Sequence, residues 1–193
     1  MVTAYLVFLA LLAGERLVEL RLSARNRAWT LARGGIEVGQ GQLRWMKMLH
    51  TAFPLGCAAE VLLMRRPFVA PLAGFMLSLC VAAQLLRYWT VHTLGRSWNI
   101  HVVVVPGSPV VDRGPFRYLR HPNYLAVVIE GLAVPLIHSA WITAAVFTVL
   151  NALLLTARIR CEERALSEHC DYAQRLGARN RLIPRRRVAG GVR

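Results

Sequence analysis

The sequence predicts an all-α, polytopic integral membrane protein with about five transmembrane helices. Of its 193 residues, 55% are hydrophobic, a higher proportion than ordinary soluble domains have. Two stretches, residues 68–86 and 140–157, contain no charged side chain. Each is long enough to cross roughly 30 Å of hydrocarbon as a helix. The length of the chain, residues 1–193, indicates a single domain.

Three further stretches are predicted to cross the membrane although they contain charged residues. In chain order the five predicted spans are residues 2–22, 45–64, 68–86, 123–137 and 140–157. The acidic and basic side chains that this prediction places inside the membrane include Glu15, Arg16, Glu19, Glu60 and Glu130. Because ionisable groups in a span seldom face lipid, we expect them to line the interior or pair with one another. Nothing in the sequence assigns them a catalytic role.

The basic residues predict the orientation of the chain. The formal net charge is +14, from 24 Lys and Arg against 10 Asp and Glu. Of these basic residues, 21 lie around the first connection (23–44), around the third connection (92–121) or in the tail from residue 158. Since cytoplasmic loops carry the excess of Lys and Arg, we expect the N-terminus outside and the C-terminus in the cytoplasm. The charge therefore indicates membrane topology rather than binding to nucleic acid.

The connections differ in length as well as in charge. Those on the predicted cytoplasmic side are long, whereas the outer turns, residues 65–67 and 138–139, are minimal. Because function concentrates in loops, any chemistry is expected on the cytoplasmic face. The chain then divides into a three-helix part (1–92) and a second part (93–193) with a loop, a helical hairpin and a tail. Prolines and glycines predict turns rather than a helix in that loop.

The cysteines and the N-terminus suggest no covalent framework and no targeting segment. The four cysteines show no C-x-x-C spacing, so we predict neither a disulfide framework nor a metal site; they are Cys57, Cys80, Cys161 and Cys170. The apolar run 2–13 lacks a basic region before it and a cleavage site after it. It is therefore interpreted as the first membrane helix.

The first polar motif is Arg120-His121-Pro122-Asn123-Tyr124, directly before an apolar span. Proline suits the first position of a helix, because its missing N–H has no partner there in any case. Arg120 and His121 are thus expected at a helix N-terminus at headgroup level, where an anion such as a carboxylate is favoured. The simpler interpretation makes Arg120 an interfacial anchor and His121 a capping residue.

The second motif follows the last span and contains Arg158, Glu162 and Glu163. A two-residue turn joins the last two spans, which predicts an antiparallel helical hairpin. His121 and Glu162 are therefore expected at the same end of neighbouring helices.

Together these two motifs resemble the isoprenylcysteine carboxyl methyltransferases, within the wider class that includes phospholipid methyltransferases. Agreement extends to residues 94–98, 110–111, 114–116, Tyr172 and 182–184, about half of the chain. The resemblance implies a cytoplasmic pocket for S-adenosylmethionine, closed by the third connection and the tail. It also implies a lipophilic acceptor that enters sideways from the bilayer.

The resemblance further implies which residues line the cofactor pocket. They are His101, Ser108, Pro109, Val110, Val111, Phe116, His121, Pro122, Asn123, Tyr124, Glu162 and Glu163. Residues 108–111 are expected to be strand-like. The chain departs from the family where it has Ser108 in place of a histidine and Phe116 in place of a tyrosine, and each change removes a polar contact. For His101 the alternative is a solvated loop histidine.

Arg158 corresponds to an arginine that faces the acceptor in the family, so we expect it to be catalytic by pairing with an acceptor carboxylate or enolate. The alternative is an arginine that snorkels from a helix end to the interface. Methyl transfer from a sulfonium releases a neutral thioether, so positioning should dominate catalysis. An acidic acceptor is ionised near pH 7 and needs no dedicated base, which favours an acidic acceptor.

Several classes of methyl acceptor are compatible with the sequence. Residues 15–37 are similar to bacterial members of the family, so a bacterial plasma membrane and a lipophilic oxygen nucleophile are expected: an alkylated pyrone, a phenol or a lipid acid. The alternative within the family is carboxyl methylation of an isoprenylated cysteine. The alternatives outside this family are a small transporter or scaffold, and a protein that binds anionic lipid or nucleic acid through its arginine-rich tail. Oligomeric state, the element methylated and the order of the tail after Pro184 stay open.

Overall fold

The computed structural model describes residues 1–183, and it is mostly helical. In chain order the helices and strands are α1 (Val2–Leu31), β1 (Ile36–Val38), α2 (Gln40–Leu63), α3 (Ala70–Leu94), β2 (Val102–Val104), α4 (Pro122–Leu136), α5 (Trp141–His169) and α6 (Tyr172–Leu176). Turns of 3-10 helix, Gly95–Ser97 and Gly114–Arg117, stand before and after β2. The predicted basic end of the tail, residues 184–193, lies outside the described residues.

Helix α1 is longer than predicted, because it continues to Leu31 rather than ending near residue 22. The first connection, predicted as a long loop over 23–44, is therefore mostly helix. Its polar residues face the segment after α3: the Asn26 amide donates to the Trp98 carbonyl at 2.7 Å, and the Ile100 amide donates to the Ser23 hydroxyl at 2.9 Å. Hydropathy alone does not indicate this extension, since its buried face is polar.

Helix α5 also exceeds its predicted span, 140–157, and ends at His169. The second motif thus continues the last membrane helix without a break. Helices α2 and α4 agree more closely with the predicted spans, 45–64 and 123–137. Helix α2 begins five residues earlier than predicted, at Gln40.

The all-α prediction is wrong in one place, because β1 and β2 form a two-stranded antiparallel sheet with Glu37 opposite Val103. Val102 and Val104 are buried against Ala165 of α5. Residues 108–111, predicted to be strand-like, contain no strand. Three-residue strands are too short for an alternating pattern, and only their pairing reveals them.

Two described helical segments, Ala70–Ser97 and Trp141–His169, are long and apolar enough to cross a membrane. Helix α4 is apolar but has 15 residues, about 22 Å of helix, which is less than the hydrocarbon thickness of roughly 30 Å. The turn after α4 is covered: His138 and Ser139 are each 2% exposed. The Tyr5 ring of α1 lies 5.3 Å from the His138 ring.

The charged residues in the helices pair with one another, as expected. Arg87 of α3 is 5% exposed and donates hydrogen bonds to both carboxylate oxygens of Glu130 on α4. Arg16 donates to Glu19 at 2.7 Å and to Glu15 at 3.2 Å. Arg87 is therefore a buried residue of the helical bundle. Pairing lowers the cost of removing these charges from water.

Glu60 on α2 caps the start of α5. Its carboxylate accepts hydrogen bonds from the Ile142 and Thr143 amides at 3.1 and 2.7 Å, from the Thr143 hydroxyl at 2.8 Å, and from Arg66 Nε at 2.9 Å. The first amides of a helix have no partner within it, and the positive end of the helix dipole favours an anion. Glu60 therefore fixes α5 against α2.

Replacing Glu60 tests this cap. We expect Glu60→Ala to lower the free energy of unfolding by roughly 1–3 kcal/mol, since it removes hydrogen bonds to a charged acceptor and leaves amides unpaired. The measurement is the midpoint of thermal unfolding in detergent. Glu168→Gln, an exposed carboxylate near the other end of α5, is the matched control and should leave the midpoint unchanged. An unaltered midpoint for Glu60→Ala would contradict the capping role.

Candidate active site

The polar side chains of the two motifs meet at one end of the helical bundle. We call it the polar end; it is formed by the last turns of α1, α3 and α5 and the first turns of α2 and α4. The sheet and the segment 105–117 lie there, as does the C-terminal segment, residues 170–183.

Helix α4 begins with Pro122 at its first position, and no side chain in the described residues caps it. The two residues before it pair with the C-terminal segment: the Arg120 amide donates to the Asn180 carbonyl at 2.9 Å, and the His121 amide donates to the Arg181 carbonyl at 3.0 Å. The start of α4 is thereby fixed from outside the helix.

Glu163 gathers polar groups from three segments. Its Oε1 lies 3.2 Å from His121 Nε2, 3.3 Å from Arg120 Nη1 and 3.2 Å from the Tyr172 hydroxyl. Its Oε2 accepts from Arg181 Nη2 at 2.6 Å. One carboxylate thus links the start of α4, the end of α5 and the C-terminal segment.

Arg158, Tyr124 and Glu162 form a second hydrogen-bonded chain. Arg158 Nε donates to the Tyr124 hydroxyl at 2.8 Å, and that hydroxyl donates to Glu162. The Arg158 guanidinium also donates to the Ile100 carbonyl. Arg158 is 4% exposed, so it is not an arginine that snorkels to the surface. The chain joins α4 and α5 to the segment after α3.

Segment 105–117 is held at both ends by the C-terminal part of the chain. The Val110 amide donates to Asp171 Oδ1 at 2.8 Å, and the Gly107 amide donates to the His169 carbonyl at 2.9 Å. The Val110 amide, helped by Arg175, holds the pKa of Asp171 below its ordinary value of 3.8. At the other end, Arg179 donates to the Phe116 carbonyl at 2.6 Å.

The structure brings together six of the thirteen predicted site residues. The group that meets at the polar end consists of His121, Pro122, Tyr124, Arg158, Glu162 and Glu163. Asn123 points elsewhere, since its Oδ1 lies 3.5 Å from Arg87 Nη1 of α3. Val110 is tied to Asp171, and Ser108 to the Val105 carbonyl through its amide. Among residues 1–183, no hydrogen bond joins Pro109 or Val111 to this group.

His101 is also separate from that group. Its Nδ1 lies 2.6 Å from Glu37 Oε1, and Arg27 of α1 donates to the same carboxylate through Nε at 2.8 Å. Burial raises the pKa of Glu37, but the hydrogen bonds with Arg27 and His101 outweigh burial and hold this pKa below its ordinary value of 4.5. His101 therefore ties β2 to β1 and α1, and it is neither a free loop histidine nor in contact with Glu162.

Sequence reasoning missed the structural importance of Tyr172 and Arg181. Tyr172 is buried, and burial together with the Glu163 carboxylate raises the pKa of its hydroxyl. Tyr172 is among the residues that agree with the family pattern, which indicates that it belongs near the site. That agreement does not indicate that Glu163 is its hydrogen-bond partner. Arg181 lies in a tail with several arginines, and nothing in the sequence distinguishes it from them.

The arrangement presents both charge signs in a small space. Arg158 and the start of α4 favour an anionic group, whereas Glu162 accepts hydrogen bonds from ammonium or hydroxyl groups. The Tyr124 ring, whose centroid lies 5.3 Å from that of His121, offers an aromatic face. Such a site suits a zwitterionic ligand.

Comparison with known sequences identifies the family. The sequence model of the isoprenylcysteine carboxyl methyltransferase (ICMT) family matches residues 76–168. The uncharacterized protein YpbQ of Bacillus subtilis is 35% identical over 163 residues, 84% of this chain and 96% of YpbQ. An uncharacterized protein of Haemophilus influenzae is 26% identical over 153 residues, 79% of this chain and 88% of that protein.

A solved structure shares the fold. The eukaryotic intramembrane Ras methyltransferase ICMT superposes with a TM-score of 0.52 at 19% identity, over 72% of this chain. This chain spans about half of the eukaryotic protein, 52% of its length. Two helices long and apolar enough to cross a membrane, in a chain of this fold and family, indicate a helical integral membrane protein. The chain belongs to the isoprenylcysteine carboxyl methyltransferase family, as its motifs predicted.

Removing the Glu163 carboxylate should release the C-terminal segment. We expect Glu163→Ala to increase amide hydrogen exchange over residues 172–181 by roughly 10- to 100-fold, the equivalent of losing a hydrogen bond to a charged group. Hydrogen–deuterium exchange with mass spectrometry in detergent measures this. Glu168→Ala on the same helix serves as the control, and equal exchange in both variants would refute the linking role of Glu163.

The lowered pKa values of Glu37 and Asp171 predict acid sensitivity. A carboxylate whose pKa falls on folding contributes stability that is complete above its ordinary pKa and is lost as the pH falls through the lowered value. The midpoint of thermal unfolding should therefore fall below about pH 4, as the Glu37 and Asp171 carboxylates become protonated. Glu37→Gln should show a smaller decline than the native chain between pH 6 and pH 3, and parallel curves would contradict the prediction.

Proposed function

We propose that this protein is an S-adenosylmethionine-dependent methyltransferase that methylates a lipophilic oxygen nucleophile at the cytoplasmic face of a bacterial plasma membrane. The observation that carries the proposal is the chain of Arg158, Tyr124 and Glu162 beside the uncapped start of α4. Membership of a family named for methyl transfer supports the reaction class.

The side chains at the polar end fit the chemical groups of S-adenosylmethionine. Its carboxylate needs cationic or amide donors, for which neighbouring Arg120 and the Asn123 amide are proposed, since Pro122 has no N–H and the Tyr124 and Leu125 amides donate to the His121 carbonyl. Its ammonium and ribose hydroxyls need an acceptor, which Glu162 supplies. The bound cofactor would supply a methyl group activated on a sulfonium. His121 and Glu163 would position this pocket rather than react, since they are tied to the C-terminal segment.

Arg158 is the residue proposed to face the acceptor. It is buried, held by the Tyr124 hydroxyl and the Ile100 carbonyl, and it lies where α5 leaves the apolar part of the bundle. A buried guanidinium binds an oxyanion through charge-assisted hydrogen bonds. An enolate, a phenolate or a carboxylate at the end of a lipophilic chain fits this position. A carboxylate or an acidic enolate is already ionised at pH 7 and needs no general base, whereas a phenol, with a pKa of about 10 in water, must first lose its proton to water, which the Arg158 guanidinium would favour. The attack on the methyl group then depends on alignment.

The proposed topology rests on the basic residues at the polar end. Arg21, Arg25, Arg160 and Arg164 are exposed there, so the positive-inside rule favours a cytoplasmic polar end and an N-terminus outside. Five spans, one of them the short α4, agree with this orientation. Helices α1 and α2 are long enough to cross, with 30 and 24 residues.

Calorimetric titration of the detergent-purified protein with S-adenosylmethionine and S-adenosylhomocysteine tests the proposal. We expect saturable binding by the native chain and a loss of at least about tenfold in affinity for Glu162→Gln, because the acceptor for ligand N–H and O–H groups becomes a neutral amide. Glu168→Gln, on the exposed side of α5, should bind like the native chain. No binding by folded native protein would refute the proposal.

Arg158→Gln separates cofactor binding from turnover. It should retain cofactor affinity within about threefold yet reduce transfer of labelled methyl to an active acceptor by at least about a hundredfold. Candidate acceptors are alkylated pyrones, long-chain phenols, fatty acids and farnesylcysteine. Methylation of farnesylcysteine alone would instead support the isoprenylcysteine alternative.

A further inference from the structure

A groove lies at the polar end, on the face of α5 next to the candidate active site. Its volume is about 310 Å³, and it is lined chiefly by Val38, Gln42, Arg160, Cys161, Arg164 and Glu168. Successive helical residues are about 100° apart, so Arg164 lies roughly 120° around α5 from Arg158. Neither Arg158, Tyr124 nor Glu162 lines the groove, and its arginines point away from them, although its edge at Ala165 lies close to Arg158 around the helix.

The groove has two cationic side chains without an acidic partner. Arg160 and Arg164 are one turn apart on α5 and exposed, and neither forms an ion pair within residues 1–183. Glu168 also lines the groove, and no ion pair within 4 Å joins it to either arginine in that range. Two like charges at this spacing repel each other. An anion between them would remove that repulsion.

The start of α2 adds a second source of positive potential. Val38 and Gln42 stand on either side of this helix start, and Gly39, its N-cap, has φ +70°. A Cβ at Gly39 would lie 3.0 Å from Cys161 Sγ, so the helix start approaches α5 closely. No side chain among the described residues caps α2, and its first turn has no acidic residue. Free amides at a helix start bind anions.

Gln42 supplies a further sign of an unfilled polar site. Its side-chain Oε1 is buried and has no hydrogen-bond partner in the part of the chain that the structure describes. A buried polar atom without a partner is unfavourable unless a ligand or water satisfies it. A ligand that carries hydroxyl groups beside its anion would do so.

The position of the groove indicates where such a ligand comes from. Ala157, the last residue of the uninterrupted apolar stretch, lines its edge, and Arg160 and Arg164 follow within two turns. This is where α5 passes from hydrocarbon to headgroups. The exposed surface next to the groove on α5 is apolar, including Leu150 and Leu153. Acyl chains would pack there while the headgroup occupies the groove.

We propose that this groove binds the phosphate of an anionic phospholipid, with Arg160, Arg164 and the first amides of α2 as donors and Gln42 as an acceptor for headgroup hydroxyls. This site does not rest on the proposed methyl transfer. Phosphatidylglycerol has the required combination of one negative phosphate and free hydroxyls, whereas phosphatidylcholine is zwitterionic and lacks the hydroxyls.

Titration of the detergent-purified full chain with water-soluble dihexanoyl phosphatidylglycerol tests the proposal. The buffer contains 150 mM salt, which screens diffuse surface attraction. We expect the native chain to bind this lipid, and Arg160→Gln/Arg164→Gln to weaken binding at least about tenfold through loss of charged hydrogen bonds. Arg164→Gln alone should give a smaller loss. Glu168→Gln should strengthen binding, because it removes the negative charge from the groove.

The matched control is Arg21→Gln/Arg25→Gln, which removes the same charge from exposed positions of α1. It should bind like the native chain, and thermal midpoints should show that every variant is folded. If both double variants weaken lipid binding equally, the attraction comes from general surface charge, and the proposed binding site is wrong. Equal affinity for dihexanoyl phosphatidylcholine would overturn it too. If inorganic phosphate binds as tightly as the lipid, the site recognises a soluble phosphate and the phospholipid proposal is overturned.

Discussion

The carboxylate of Glu163 joins three parts of the chain that are distant in sequence. His121 precedes α4, Glu163 lies near the end of α5, and Tyr172 and Arg181 belong to the C-terminal segment. Without this common acceptor, the buried His121 ring and the buried Tyr172 hydroxyl would lose their carboxylate partner, which is costly away from water. The position of Tyr124 against Glu162 and Arg158 follows, because all three lie within one turn or two of the residues that Glu163 fixes.

The same requirement explains the charges in the helices. A bilayer interior solvates neither ions nor free backbone amides, so each must find a partner in the protein. Arg87 meets Glu130 between α3 and α4, and Glu60 meets the amides that begin α5. Helix α4 is too short to cross the hydrocarbon alone, and the turn that follows it is buried against α1, where the His138 ring packs on Tyr5. These contacts hold the helices that carry the site.

Helix α5 serves two surfaces at the polar end. One face presents Arg158 and Glu162 to α4, and another presents Arg160 and Arg164 to the start of α2. The first surface is closed by hydrogen bonds between its own residues, whereas the arginines of the second have no acidic partner in the described chain. A single uninterrupted helix thus fixes the distance between the candidate active site and the proposed lipid groove, since both stand on the same rigid backbone.

The sequence by itself determined the apolar helices, the helical hairpin that brings His121 and Glu162 to one end, and the family, because hydropathy and short motifs are local properties of the chain. It did not reveal the polar extension of α1, the three-residue strands, or the partners of His101 and Asn123. Those depend on contacts between residues far apart in sequence: Ser23 and Asn26 with the segment after α3, Glu37 with His101, and Arg87 with Asn123. Only tertiary structure decided them, because a side chain selects its partner from whatever the folded backbone places within hydrogen-bonding reach.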